Sequence, residues 1–313
     1  MDLKNRERFR FADLFCGIGG FRIAFEEICK EYSLKPECVF SSDIDPYCRI
    51  NYEANFNESP QGDITEIDEQ DVPDHDILFA GFPCQPFSII GAMKGMEDTR
   101  GALFFDIARI LKAKKPEAFV LENVKQLARH RSGKTLHIIL QTLGDLGYQA
   151  HYKILNALDY GLPQKRERIF IVGFRNPVSF SFPKPLNKYK PLSEILEEAV
   201  DPKHYASEKI RKKRMEMHTS PYYPAIWHEN KSGNISSYPY SCALRAGASY
   251  NYLLVNGVRR LTPREMLRIQ GFPDHYKIAV NDTQIRKQAG NAVPVNLARA
   301  VIRETVKALL GKE

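Results

Sequence analysis

Short apolar runs alternate with longer amphipathic stretches through the first 178 residues of the chain. The runs FRFADLF, ECVFSSD, HDILFAGF, EAFVLEN and RIFIVGF are typical of buried strands in length and apolar content. The stretches between them, such as FRIAFEEICKEY, PYCRINYEANF, GALFFDIARILKA and TLHIILQTLGDLGY, carry apolar residues at helical spacing. This alternation predicts an α/β fold built on a doubly wound, mostly parallel sheet.

The alternation ends near residue 178, and the pattern of the remaining chain is different. The segment FSFPKPLNKYKP is rich in proline and is typical of a linker. Residues 205–258 show little helical periodicity and are rich in Tyr, Ser, Gly and basic residues, which predicts a smaller, irregular, partly β domain. RRLTPREMLRIQGF then predicts a helix, with Thr262 as its N-cap, Pro263 in its first turn and Glu265 at the capping-box spacing. We expect the last helix, after AGNAVPVN, to pack back onto the first domain.

Glycine-containing and polar segments follow several of the predicted strands, namely CGIGG, SSDID, GFPCQPF and ENV. Ligands of open α/β sheets bind outside the carboxyl ends of the strands. We therefore expect these four segments to converge on one rim of the sheet.

The turn CGIGG joins a predicted strand to a predicted helix, and its glycines allow a ligand to approach the backbone closely. A dinucleotide fingerprint would need a third glycine where Arg22 stands, so that interpretation is disfavoured. Asp43 and Asp45 follow the next strand, where α/β folds hold a ribose, and Asp63 can accept a hydrogen bond from an exocyclic amine. Adenosine recognition with no phosphate-binding cation nearby indicates S-adenosylmethionine, although glycine turns and Asp-rich loops also occur as purely structural features.

Cys84 directly follows a predicted strand, in a loop stiffened by Pro83 and Pro86 and made polar by Gln85 and Ser88. One interpretation is a buried, inert thiol, which is the usual state of an intracellular cysteine. The other is a nucleophile presented at a strand end, since the thiolate is the reactive form of cysteine.

Charged side chains stand at two further strand ends. Glu122 in LENVK has no cation near it in the sequence, and a carboxylic acid beside a nucleophile can hydrogen-bond a ring electrophile. Arg166 and Arg168 of QKRER come just before a buried strand, where arginines are expected to contact an acidic partner or a ligand.

The composition is that of an ordinary globular protein, with 313 residues of which 43% are hydrophobic. No apolar run is long enough to cross a bilayer, and the N-terminus lacks the apolar core of a signal peptide. The six cysteines include no C-x-x-C pair and show no zinc spacing, so neither a disulfide framework nor a metal site is expected. These features predict a cytoplasmic protein.

The net charge of +7 is unevenly distributed along the chain. Residues 1–178 carry 23 basic and 26 acidic side chains, whereas residues 179–313 carry 22 basic and 12 acidic ones. Residues 43–76 hold eleven acids and one base, so that face is not expected to touch phosphate. A basic part joined to an acidic part indicates a polyanion bound by one part of the molecule, although a solvated surface also accounts for a charge run.

Six motifs stand in one order along the chain: DLFCGIGGF, GFPCQPFS, LENV, QKRERIFIVGF, RRLTPREMLRIQGFP and QAGNAVPV. Together they closely resemble the cytosine-5 DNA methyltransferases, in particular the small bacterial enzymes of restriction–modification systems. The resemblance covers residues 11–178 and 255–300 and implies a Rossmann-like, S-adenosylmethionine-dependent methyltransferase fold. Residues 180–254 lack a readable match, and the family keeps its variable target-recognition domain there.

The resemblance also implies a division of the chain by function. We expect residues 1–178, completed by 287–313, to form the catalytic and cofactor-binding domain. Residues 179–258 would then be the target-recognition domain, and residues 259–286 a hinge.

Catalytic roles follow from the matching motif positions. The resemblance implies that Cys84 attacks carbon 6 of the target cytosine and that Glu122 bonds ring nitrogen 3. Arg168 matches the arginine that contacts the cytosine 2-oxygen, and Arg166 is expected to help order the same pocket. No metal ion takes part in this chemistry.

The cofactor residues are carried over in the same way, and the product would be S-adenosyl-L-homocysteine. The resemblance implies a site formed by Phe15, Gly17, Gly19, Gly20, Asp43, Ile44, Asp63, Ile64, Leu103, Asn291 and Val293. Two positions depart from close family members, which carry Glu in place of Asp43 and, in place of Ile44, a tryptophan that stacks on adenine. We expect cofactor binding to survive these changes with altered affinity.

The resemblance implies double-stranded DNA as the partner, with the target base swung out of the helix before reaction. Gln85 and Ser88 are expected to contact DNA, and residues 89–101 to form a loop that closes over it. Residues 238–252, YPYSCALRAGASYNY, are the expected base-reading stretch, although Ala243 replaces the usual threonine of a Thr-Leu pair. Arg245 has two equal interpretations, guanine reading and phosphate binding. Residues 210–218 are expected to be solvated or to face phosphate.

The same resemblance suggests a bacterial, nucleoid-associated monomer that acts beside a separate cognate restriction endonuclease. Two alternatives stay open. A related branch methylates tRNA, but it normally carries an extra Cys-Phe-Thr motif and lacks a recognition insert of this size. A non-catalytic DNA- or cofactor-binding protein on the same fold would be favoured by loss of Cys84 or Glu122, and both residues are present.

Overall fold

The computed structural model describes residues 7–83 and 103–312. The chain divides into two compact units. The first unit comprises residues 1–155, 167–184 and 297–313, and the second comprises residues 156–166 and 185–296. Cys84, Gln85 and Ser88, together with the predicted closing loop 89–101, lie outside the described residues.

The strands, numbered along the chain, are β1 (Arg8–Leu14), β2 (Lys35–Ser42), β3 (Ile77–Gly81), β4 (Ala118–Val124), β5 (Gln149–Asn156), β6 (Gln164–Lys165), β7 (Glu167–Phe174), β8 (Ile226–Glu229), β9 (Ile235–Tyr238), β10 (Ser241–Cys242) and β11 (Leu253–Val255). The α-helices are α1 (Gly20–Glu31), α2 (Pro46–Phe56), α3 (Leu103–Lys114), α4 (Lys134–Asp145), α5 (Glu208–Met217), α6 (Pro263–Gln270), α7 (Asp282–Asn291) and α8 (Val295–Leu310).

The first unit is built on a six-stranded sheet with the order β2–β1–β3–β4–β7–β5. β1 pairs in parallel with β2 and β3, β3 pairs in parallel with β4, and β7 runs antiparallel to β4. The central strands β3 and β4 are buried along nearly their whole length, as expected where helices cover both faces of a parallel sheet. The predicted α/β fold with a mostly parallel sheet is confirmed.

The C-terminal helix α8 packs against α1, as the sequence predicts. Arg299 pairs with Glu27 at 2.8 Å, and Arg303 pairs with Glu31 at 2.7 Å. Because these ion pairs join residues 272 positions apart, the end of the chain completes the first unit.

The second unit contains small sheets and short helices. β8 pairs antiparallel with β9 and β11, and β6 pairs in parallel with β10. The predicted capping box at the start of α6 is confirmed, since Thr262 Oγ1 accepts from the Glu265 amide and the Glu265 carboxylate accepts from the Thr262 amide.

The basic run at 210–218 lies largely in helix α5, which the sequence pattern did not predict. Most of the run is exposed, but Arg214 is buried and pairs with Glu229 at 2.6 Å. One buried position among charged neighbours gives too weak an apolar periodicity to reveal a helix.

The boundaries of the two compact units differ from those of the predicted domains. Residues 259–296 belong to the second unit because Leu261, Ile269 and Ala289 pack in one hydrophobic cluster with Ile226 and Leu253. The functional roles assigned to the domains stay predictions. Among the described residues, no helix has both the length and the apolar content that crossing a bilayer requires.

Candidate active site

A left-handed glycine turn links β1 to α1. Gly17 and Gly19 have φ values of +54° and +81°, and α1 begins at Gly20. A Cβ atom added at Gly19 would lie 2.4 Å from Cε2 of Phe56, so that position has neither the backbone angle nor the space for a side chain. The turn therefore presents bare backbone at the carboxyl end of β1.

Asp43 holds this turn against the end of the neighbouring strand. One carboxylate oxygen accepts from the Gly17 amide at 2.8 Å, and the other accepts from the Asp45 amide at 2.8 Å. Burial raises the pKa of Asp43, while these two backbone hydrogen bonds act in the opposite direction. Each carboxylate oxygen has a second lone pair, so Asp43 keeps acceptor capacity for a ligand hydroxyl.

The expected apolar wall of the cofactor site is assembled in the first unit. Ile64 is buried in the hydrophobic core cluster, and Phe15 and Leu103 pack partly buried against the same cluster. Ile44 is 68% exposed, so its side chain offers an open apolar surface rather than a core contact. The structure thus brings Phe15, Ile64 and Leu103 together in one cluster, and the part of these residues and of Ile44 in a cofactor site stays a prediction.

The remaining predicted cofactor residues lie in different settings. Asp63 caps the short 3₁₀-helix Ile64–Glu66, accepting from the Thr65 amide at 3.0 Å. Asn291 and Val293 belong to the second unit, where Asn291 ends α7. Their part in the cofactor site stays a prediction.

Glu122 and Arg168 form a nearly buried ion pair in the first unit. Nε of Arg168 lies 2.8 Å from Oε1 of Glu122, and their side chains are 14% and 9% exposed. The pair forms where β4 and β7 run antiparallel, close to the end of β4. Lys125, three residues further along the chain, pairs with Glu167 instead, so the cation beside Glu122 comes from the adjacent strand.

The end of β4 is also tied to the segment that leads into Cys84. Nδ2 of Asn123 donates to the carbonyl oxygen of Phe82 at 2.8 Å, and Phe82 is buried. Phe82 lies two residues before Cys84 in the sequence, and this bond fixes Phe82 at the end of β4.

Arg166 is held in the second unit. Its guanidinium donates to the carbonyl oxygens of Leu244, Gly290 and Ala292 at 2.9, 3.0 and 3.0 Å, and its side chain is 1% exposed. These bonds join three chain segments of that unit. The assignment of Arg166 to the catalytic pocket stays a prediction.

Arg245 is exposed in the second unit, with its guanidinium 4.8 Å from the centre of the Tyr252 ring. Its backbone amide donates to the hydroxyl of the same tyrosine at 2.9 Å. Tyr252 therefore positions both the backbone and the side chain of this predicted DNA contact.

Asp13 is a buried acid that sequence reasoning missed, at the end of β1 beside the glycine turn. It is fully buried, and neither carboxylate oxygen has a hydrogen-bond partner among the described residues. Desolvation raises its pKa to about 8; nearby Arg22 acts in the opposite direction, and Asp43 reinforces the rise. An aspartate inside an apolar strand was the available sequence signal.

The described cysteines are free and behave as packed side chains, as the sequence predicts. Burial raises the pKa of Cys16 well above its usual value, and the nearby carboxyl groups of Asp13 and Asp43 reinforce the rise. A thiol with a raised pKa stays protonated and inert.

The amino-acid sequence matches the model of one protein family along nearly the whole chain. Residues 9–307 match the model of the C-5 cytosine-specific DNA methylases. The chain belongs to the C-5 cytosine-specific DNA methylase family. The resemblance inferred from the six motifs is confirmed, and the protein is a DNA methyltransferase.

Similar C-5 cytosine-specific DNA methylases occur in bacterial type II systems. Type II methyltransferase M.NgoBI of Neisseria gonorrhoeae is 57% identical over 296 residues, covering 93% of this chain and 91% of that protein. Type II methyltransferase M.HhaI of Haemophilus parahaemolyticus is 42% identical over 315 residues, covering 93% and 92%.

Solved structures of two methyltransferases share the fold at low sequence identity. The S. pombe Dnmt2 methyltransferase superposes with a TM-score of 0.74 and 20% identity, covering 96% of this chain and 99% of that one. The Entamoeba histolytica methyltransferase EhMeth gives a TM-score of 0.73 at 18% identity, covering 98% and 99%. At these identities the likeness concerns the fold alone.

Proposed function

We propose that this DNA methyltransferase transfers a methyl group from S-adenosyl-L-methionine to carbon 5 of a cytosine extruded from duplex DNA, with S-adenosyl-L-homocysteine as the product. The observation that carries the proposal is the Glu122–Arg168 pair, bonded at 2.8 Å and tied through Asn123 to the strand end that precedes Cys84.

The chemistry begins with covalent activation of the base, because carbon 5 of cytosine is a weak nucleophile. The Cys84 thiolate attacks carbon 6 while Glu122 donates a hydrogen bond or proton to nitrogen 3, which stabilises the added negative charge. Arg168 orients Glu122 and would contact the 2-oxygen of the ring. After methyl transfer, carbon 5 loses its proton to water and the Cys84–carbon 6 bond breaks, which restores the aromatic ring and the thiolate. Any proton held by nitrogen 3 returns to Glu122.

The residues of the glycine turn suit the proposed cofactor. At Gly17 no atom lies closer than 4.0 Å to an added Cβ, which would leave room for the methionine part; Gly19 and Gly20 would contribute backbone of the same turn, and Asp43 keeps acceptor capacity for the ribose. Ile44 and Ile64 would enclose the adenine, with Asp63 accepting from its amine. When bound, the cofactor supplies an electrophilic methyl carbon.

DNA recognition is assigned to the basic second half of the chain. The target base must leave the duplex before Cys84 can reach it, at a cost of about a few kcal/mol. Phosphate and groove contacts from residues 179–258 would offset that cost, with Arg245 among them. Gln85 and Ser88 would contact the DNA beside the extruded base.

The relatives support a proposal for the cellular setting. The chain is 57% identical to a type II methyltransferase, so we assign it the modification step of a restriction–modification system with a separate endonuclease. We further propose that it acts as a monomer in the bacterial cytoplasm, at the nucleoid.

Bisulfite sequencing of DNA from a host that expresses the chain tests the proposed function. We expect one short sequence to become methylated at a single cytosine throughout the genome, and an empty-vector host to lack that methylation. Unmethylated DNA together with newly modified cytosines in tRNA would overturn the DNA substrate in favour of the tRNA alternative.

A further inference from the structure

A cavity of about 170 Å³ lies within the second unit, next to β11 and the start of α6. Its floor includes the apolar side chains of Leu244, Leu253, Leu261 and Met266. The basic residues that line it are Lys203, Arg245, Arg260 and Arg286. A small apolar cavity surrounded by cations suits a ligand with an anionic group on a compact uncharged body.

The charges around the cavity are not balanced. Asp282 lines the cavity, but its carboxylate already pairs with Lys203 at 3.0 Å. In the parts of the chain that the structure describes, none of the three lining arginines pairs with a carboxylate. Three positive charges therefore surround the cavity without a protein counter-charge.

Two tyrosine rings hold two of these arginines in place. The guanidinium of Arg286 lies 4.4 Å from the centre of the Tyr250 ring, and that of Arg245 lies 4.8 Å from the centre of the Tyr252 ring. The Tyr250 hydroxyl is itself bonded to Thr283 Oγ1 at 3.0 Å. Arginines stacked in this way lose little side-chain entropy when they bind an anion.

The arginines also differ in how many donors the protein uses. Arg260 donates to the carbonyl oxygen of His204 at 3.3 Å and to that of Lys203. Arg286 donates to the carbonyl oxygen of Ser249 at 3.0 Å and to that of Ala248. The guanidinium of Arg245 donates to no acceptor among the described residues. Each guanidinium has five N–H donors, so donors remain on all three for a ligand.

We propose that this cavity binds a phosphodiester group of the substrate DNA through Arg245, Arg260 and Arg286, with the adjoining deoxyribose against the apolar floor. The inference rests on the proposed DNA substrate. A base edge is uncharged and is satisfied by one guanidinium fork, whereas three guanidinium groups without a carboxylate partner favour an anion. The sequence left Arg245 open between guanine and phosphate, and the cavity assigns it to phosphate.

Salt-dependent binding to duplex DNA tests this assignment. For Arg245→Gln and Arg286→Gln, we expect the slope of log K against log [NaCl] to become shallower by about 0.9 for each phosphate that the variant no longer neutralises. Affinity for the target duplex and for an unrelated duplex should fall by the same factor, because binding to phosphate carries no sequence information. Arg286→Lys should restore most of the slope, because it restores the charge.

A sign-reversed variant guards against loss of folding. Asp282→Asn removes the acidic side chain of the cavity, so we expect tighter binding and a steeper slope, which a misfolded protein cannot produce. Lys112→Gln, on an exposed lysine of α3 in the first unit, is the charge-matched control and should leave the slope unchanged.

Two results would overturn the assignment. Unchanged slopes in both arginine variants would show that these arginines neutralise no phosphate. Weaker binding confined to the target duplex would show that Arg245 reads a base. Methylation by the wild-type protein separates this inference from the proposed function. If the wild type methylates the duplex and the variants keep its slope, only the phosphate assignment of the cavity is contradicted. If the wild type neither binds nor methylates duplex DNA, both the assignment and the proposed function are contradicted.

Discussion

Glu122 shows at the scale of one residue how the fold orients a carboxyl group that we propose takes part in acid–base catalysis. Its side chain is 9% exposed and is oriented by Arg168 from the adjacent strand. We expect Glu122→Gln, which keeps the shape but cannot supply a proton, to lower kcat by about 10² to 10⁴. The affinity for S-adenosylmethionine, measured by calorimetry, should change by less than about twofold, because Glu122 is not among the proposed cofactor residues. A tenfold change would correspond to about 1.4 kcal/mol. A variant that keeps more than a tenth of the wild-type kcat would contradict this role.

Because the carboxyl group of Asp13 is buried, we predict that the stability of the protein depends on pH. Its folded-state pKa of about 8 lies above the ordinary value of 3.8, so the folded protein holds the proton more tightly than the unfolded chain. The resulting stabilisation is complete below pH 3.8 and is lost as the pH rises towards 8. Between these values the free energy of unfolding should fall by up to about 1.4 kcal/mol per pH unit.

Denaturant titrations of Asp13→Asn over this pH range check that slope. We expect the variant to lack the Asp13 contribution, so the difference between wild type and variant should change steadily with pH. Asp71→Asn, at an exposed aspartate, is the control and should run parallel to wild type. Parallel profiles for Asp13→Asn as well would rule out the buried, protonated acid.

The sequence alone predicted only part of the surroundings of Glu122, Arg166 and Arg168. The pairing of Glu122 with Arg168 joins strands 46 positions apart in the chain, which no local pattern encodes. Arg166 and Arg168 stand in one short motif, yet the first is held by backbone carbonyls of the second unit and the second by Glu122. The motif predicted that both arginines have partners, but not which ones.

The strand–turn–helix element from β1 to α1 depends on Gly19 at the scale of an element. We expect Gly19→Ala to lower the free energy of unfolding by about 1–3 kcal/mol, because the added Cβ meets the Phe56 ring and the backbone has a positive φ. Cofactor affinity should fall with it. Gly144→Ala in α4 is the matched control: no atom lies within 4 Å of its added Cβ, so stability should stay level or rise.

Thermal unfolding with and without S-adenosylmethionine measures both effects. A Gly19→Ala protein with wild-type stability and a wild-type cofactor-induced shift would show that the turn tolerates a side chain.

Elements that are buried on both faces or amphipathic were predictable, and those with few buried apolar side chains were not. β3 and β4 are continuous apolar runs because helices cover them, and α6 carries its capping box in the sequence. β5 is largely exposed along its middle residues, so its sequence QAHYKILN lacks the apolar signal of a strand. The same reason concealed α5.

At the scale of the whole molecule, the order of the six motifs predicted both the fold and the family. The glycine turn, Asp43, the end of β3 and Glu122 converge because β1, β2, β3 and β4 are parallel neighbours whose carboxyl ends share one edge. The extent of the second unit was not predictable, because Leu261, Ile269 and Ala289 join its core only through tertiary packing.

The covalent step at Cys84 is the part of the proposed mechanism on which every later step depends. It is measured by trapping the wild-type protein on duplex DNA that carries 5-fluorocytosine at the methylated position, in the presence of S-adenosylmethionine. Fluorine cannot leave carbon 5 as a proton does, so the thioether cannot be released. We predict a denaturant-resistant protein–DNA complex with wild type and none with Cys84→Ser. A complex formed equally by Cys84→Ser, or none formed by an active wild type, would contradict the mechanism.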